Sequence, residues 1–64
     1  MMTPADFREH RDRLGLTQAA LAAELGISAS HVAHVEQGAT PASPGLCAHV
    51  RLLVKMRDML ERTD

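Results

Sequence analysis

The chain has 64 residues, a formal net charge of −1, a single cysteine and a single aromatic residue, Phe7. That length allows one domain, which buries only about 60% of its unfolded surface, and the lone Cys47 excludes an internal disulfide and fits a reducing compartment. One ring is too few for a base-stacking single-strand or RNA module, and no apolar run nears the roughly 18 residues that cross a bilayer.

The start, residues 1–6, lacks the basic-then-apolar profile of a signal peptide, so a soluble cytoplasmic protein is expected. Ala, Leu, Glu, Arg and Met dominate and no period-2 alternation persists. The fold class is therefore read as all-α: a small four- to five-helix bundle forming one domain over residues 1–64. The first helix opens with Thr3 as N-cap, Pro4 at its first position and Asp6 near the positive end of the dipole. Phe7, Arg11 and Leu14 recur at helical spacing, and Gly15 ends it. Thr17 caps the second helix, whose buried stripe is Leu21, Ala22 and Leu25. Gly26 stops it, because a left-handed backbone costs Gly little. Ile27 plugs the core and Ser28 caps the third helix, with Val32 and Val35 inward and Gly38 at its end. Residues 39–42 form a loop. Ser43 and Pro44 open a fourth helix, expected over 44–62.

The fourth helix is apolar over more than one face. Leu46, Val50, Leu53, Met56 and Leu60 form one stripe, and Leu52, Val54 and Met59 widen it. A tiny domain uses such width either to cover its own core or to pack on a second copy. The second use is expected, with Val50, Leu53, Met56, Met59 and Leu60 at the dimer contact.

Residues 17–37 carry the functional pattern. Small Ala22 lets two helices cross closely, Gly26 makes the turn, and Leu21, Leu25, Ile27, Val32 and Val35 fill a shared core. This is the spacing of two short helices at a steep angle, the second free to enter a DNA major groove. Charge is distributed oddly for such a pattern: from Leu14 to Val50 there is no Lys or Arg.

Residues 11–38, RDRLGLTQAALAAELGISASHVAHVEQG, resemble the helix-turn-helix repressors of lambdoid phages and the wider Cro/repressor (xenobiotic-response-element) family. Thr17-Gln18 opens the scaffold helix as in that family, Glu36 and Gly38 close the recognition helix, and Arg11 sits where the family places an arginine that pairs with the glutamate. The resemblance implies a lambda-repressor-like bundle, homodimeric binding to an inverted-repeat operator in double-stranded DNA, and transcriptional control. It makes Gln18 a phosphate contact that also buttresses the recognition helix, sets Ala29, Ser30 and His34 at base edges, and sends Gln37 and the backbone N–H groups near it to a flanking phosphate. Arg11 and Glu36 would be a structural ion pair joining the first and third helices.

The outer face of the third helix departs from the family. Ala29, Ser30, His31, Ala33 and His34 offer no bidentate contact to guanine or adenine, worth about 1–3 kcal/mol each. Ala39 replaces the usual cation after the terminal glycine. Phosphate binding is left to Thr17, Gln18, Ser28, Gln37, helix N-termini and cations at the edges, chiefly Arg13, Arg51 and Lys55. The salt dependence of binding should be shallow. His31, His34 and His49 could serve as cations when protonated against phosphate.

Other chemistries fit less well. His31, His34, Cys47 and His49 have donor types that suit zinc, but the second pair lacks finger spacing, so no metal and no cofactor is expected. No nucleophile–base arrangement or phosphate-cradling Gly loop points to an enzyme, and so short a helical chain has little room for a substrate pocket. The alternative is a binding module of another class, an adaptor or antitoxin-like protein that uses the helix-turn-helix and the last helix to hold another protein. The expectation is a small phage or bacterial repressor acting by promoter occlusion, with no small-molecule effector and no membrane partner.

Overall fold

The computed structural model describes residues 2–62. Met1, Thr63 and Asp64, the ends of the expected 1–64 unit, lie outside the described residues. Four α-helices follow one another: α1 (Pro4–Leu14), α2 (Gln18–Leu25), α3 (Ala29–Glu36) and α4 (Pro44–Glu61).

Local chemistry sets where each helix begins. In every case a hydroxyl accepts a hydrogen bond from the backbone N–H three residues on: Thr3 from Asp6, Thr17 from Ala20, Ser28 from His31 and Ser43 from Leu46. At α1 the Thr3 N–H also donates to the Asp6 carboxylate at 3.2 Å, which completes a reciprocal box. Losing such a cap costs about 1 kcal/mol. The α2–α3 turn depends on Gly26, whose φ of +72° lies in the left-handed region. A side chain there costs roughly 1–2 kcal/mol.

The core is drawn from all four helices. Phe7, Leu21, Val32 and Val50 are fully buried, with Leu14, Ala22, Val35, Cys47 and Val54 around them. Leu16, Leu25, Ile27, Leu46 and Leu53 pack on its edge. Helix α2 packs on α3, α1 on both α3 and α4, and α2 touches α4. The pair α2–α3 is thus braced from behind by α1, which leaves the far side of α3 uncovered.

Candidate nucleic-acid interface

The candidate interface is the outer side of α3. Val32 and Val35 turn one side of this helix into the core. The other side presents Ala29, Ser30, His34 and Gln37, all exposed, with His31 and Ala33 half-buried at its borders. It contains no lysine or arginine.

Thr17 and Ser28 are exposed, and the structure gives both oxygens a task at home as N-caps of α2 and α3. A hydroxyl that accepts a cap bond still has its proton to donate, so each can donate to a phosphate oxygen. Gln18 is half-buried, and its Nε2 donates to Glu36 Oε1 at 3.3 Å. That leaves one amide proton and the carbonyl oxygen for an outside partner. The N–H groups that end α3 are not available in the way the sequence suggested. Those of Gln37, Gly38, Ala39 and Thr40 already donate to the carbonyls of Ala33, Val35, His34 and His34. Closure of the helix end consumes the donors expected to meet a flanking phosphate.

Arg11 and Glu36 meet across α1 and α3. Arg11 Nε donates to Glu36 Oε2 at 2.7 Å and Nη2 to Oε1 at 3.0 Å, while Nη1 donates to the Leu16 carbonyl at 3.0 Å. The two side chains are 14% and 6% exposed, so the pair is shielded from solvent screening. Burial pushes the Glu36 carboxyl up. Hydrogen bonds from Arg11 and Gln18, and the charges of Arg11 and Arg8, outweigh this and hold it below its ordinary value. The hydrogen bond to Glu36 correspondingly raises Arg11.

The edge cations named from sequence lie elsewhere. Arg13 bonds Asp58 on α4 at 3.2 Å. Arg51 and Lys55, with His10 and Arg62, line a groove between α1 and α4. Cys47 points into the core and His49 is exposed. Among the described residues no three His, Cys, Asp or Glu side chains gather as metal ligands, and no helix is long and apolar enough to cross a membrane.

On α4 one expectation is corrected. Val50, assigned to a dimer contact, is fully buried in the core of the single chain and offers nothing to a second one. The outward apolar face is Leu52, Met56, Met59 and Leu60, each more than half exposed. Leu52, named from sequence as widening the stripe but left out of the expected contact, belongs to this outward face: Leu52, Met56 and Met59 follow at i, i+4 and i+7, a helical stripe that sits across α4 from Val50. Leu53 is half-buried and, with Met56, Leu60, Leu14 and Leu16, lines a depression toward the α1–α2 corner.

Two short helices joined by a three-residue turn, the second backed by a core and bare on its outer side, define a helix-turn-helix, a fold that binds DNA through that second helix. Residues 5–55 match the family model described as a helix-turn-helix domain, and the chain belongs to this family. No curated protein and no solved structure matches the chain.

Proposed function

We propose that this chain is a single-domain, sequence-specific binder of double-stranded DNA, of the Cro/repressor kind, that works as a homodimer and represses transcription by occupying a promoter. The observation that carries the reading is the bare outer side of α3, where Ala29, Ser30, His34 and Gln37 are exposed above Val32 and Val35. Ala29 is suited to a thymine methyl group, and Ser30 and His34 to single hydrogen bonds at base edges. Ala33 and His31 flank them, and Thr17, Gln18 and Ser28 supply uncharged donors to phosphate.

A second copy follows from weak readout. One half-site with no bidentate base contact falls short of specific affinities near 10⁻⁸ M. Two half-sites, with centres about 34 Å apart on an inverted repeat, supply the rest. The exposed stripe of Met56, Met59, Leu60 and the neighbouring Leu52, with Leu53 at its edge, is the face we assign to the partner copy. Apolar patches of this kind on a small domain mark association sites. No small-molecule effector is part of this reading, and concentration sets occupancy through the dimer equilibrium.

Selection of bound duplexes from a random pool at two salt concentrations tests it. An enriched inverted repeat that loses enrichment with Ser30→Ala/His34→Ala supports the reading. A pool left without a motif while the chain co-purifies with another protein favours an adaptor instead.

A further inference from the structure

The interface described so far has no cation, and its helix-end N–H groups are already bonded. A phosphate lying beside the C-terminal turn of α3 therefore needs a donor from another element. We infer that Arg8 is that donor, the residue that neutralises a DNA phosphate next to residues 36–38; the assignment rests on the DNA-binding reading above.

The geometry brackets Arg8 from both sides. Pro4, Arg8 and Arg11 fall on one side of α1, at i, i+4 and i+7. Pro4 lies against Gly38: a Cβ added at Gly38 would stand 3.5 Å from Pro4 Cγ. Arg11 bonds Glu36. Arg8 sits between these two anchors, so its side chain runs alongside the last turn of α3. It is exposed, and among the described residues no hydrogen bond or ion pair engages it. Its charge reaches Glu36, where it adds to that of Arg11 in favouring the ionised form.

The other cations are committed or misplaced. Arg11, Arg13 and Arg57 are bonded to Glu36, Asp58 and Glu61. Arg51, Lys55 and Arg62 share their groove with His10. Residues two apart on a helix project to nearly opposite sides. The His10 groove is therefore across α1 from Arg8, on the flank that turns away from α3. Arg11 and Glu36 neutralise one another, and Asp12, one turn on from Arg8, lies 3.9 Å from Arg11; Arg8 is the positive charge at this border that no hydrogen bond or ion pair engages among the described residues. A guanidinium there is long enough to reach past Gln37 and forked to hold a phosphate at two oxygens.

The test is the salt dependence of binding to a random-sequence DNA duplex, measured by fluorescence anisotropy for the wild type, Arg8→Gln, Arg8→Lys and Lys55→Gln. Each lost phosphate contact removes about one unit from the slope of log K against log salt. Arg8→Gln is expected to lose that unit and to bind about three- to tenfold more weakly at low salt. Arg8→Lys keeps the slope, Lys55→Gln matches the wild type, and all four share one melting temperature. A wild-type slope in Arg8→Gln overturns the assignment, as does loss of the unit in Lys55→Gln instead. A wild type without affinity for any duplex overturns the DNA reading itself, and Arg8 with it.

Discussion

The Arg11 guanidinium holds the Glu36 carboxylate at two points, 2.7 and 3.0 Å, and so ties the first helix to the end of the third across 25 positions of sequence. Its third donor holds the Leu16 carbonyl, which fixes the chain where it enters α2. One side chain therefore sets the position of α3 relative to both helices behind it.

Breaking this pair leaves a largely buried guanidinium without its counter-charge, which costs about 3 kcal/mol. In a domain of this size each kcal/mol lowers Tm by about 4–8 °C. Glu36→Ala should therefore melt well below the wild type in a calorimetric scan, and Arg11→Ala similarly. The double substitution should cost less than the sum of the two. A Glu36→Ala variant with wild-type Tm would show that the pair is not holding α3.

The same pair gives the stability a sign in pH. Glu36 titrates lower in the folded chain than in the unfolded one, because the Arg11 and Gln18 bonds outweigh its burial. Its contribution is complete above the ordinary glutamate value, where both states are ionised. As pH falls below that value the unfolded chain takes up the proton first, and the contribution is lost as pH drops through the folded value. Asp6, also lowered, first by the Thr3 backbone hydrogen bond, acts in the same direction. Urea midpoints should fall on acidification below the ordinary carboxylate range. Glu36→Gln should flatten that fall, and a parallel curve for the variant would assign acid sensitivity elsewhere.

Stability and assembly should separate on α4. Val50→Ala removes buried volume beside Phe7, Leu21 and Val32 and should cost about 2 kcal/mol. Met59→Glu places a charge on the exposed stripe, where folding is indifferent and association is not. Sedimentation should show Met59→Glu as a monomer with wild-type Tm at low concentration, and its operator affinity should drop by more than tenfold. If Met59→Glu stays dimeric, the second copy binds another face.

DNA affinity should depend on His34 at fixed pH. His34 stands exposed on the outer side of α3 with His31 at its border, and an imidazole offers one hydrogen bond to a base edge or a phosphate. Binding in gel-shift titrations should weaken severalfold in His34→Ala, with Tm unchanged. An affinity unchanged by His34→Ala would take this residue away from the DNA.

The helices were legible because their punctuation is local. Thr3, Thr17, Ser28 and Ser43 cap the helices that follow them, and Gly15 and Gly26 end the first two in left-handed backbone. The inward sides of α2 and α3 were legible too, since the large apolar side chains of each, Leu21 and Leu25 on one and Val32 and Val35 on the other, fall together at helical spacing. The orientation of α4 was not. Its apolar residues cover so much of the circumference that Val50 and Leu52 look equivalent, and only packing against Phe7 and Leu21 decides between them. Arg8 was invisible for a different reason. Its place beside residues 36–38 follows from how α1 crosses α3, a tertiary relation that no spacing along the chain encodes.

Val54 is the last buried residue of α4 among those described, and the helix continues to Glu61. Over that final stretch polar links moor it to α1, Arg57 to the Leu14 carbonyl at 2.8 Å and Arg13 to Asp58, and Met56 and Leu60 share a depression with Leu14 and Leu16. Exposed positions there that make none of these contacts, such as Met59, can be rewritten without disturbing the hydrophobic centre that supports α3. A fold this small thus keeps a surface on its last helix that can change apart from the outer side of α3.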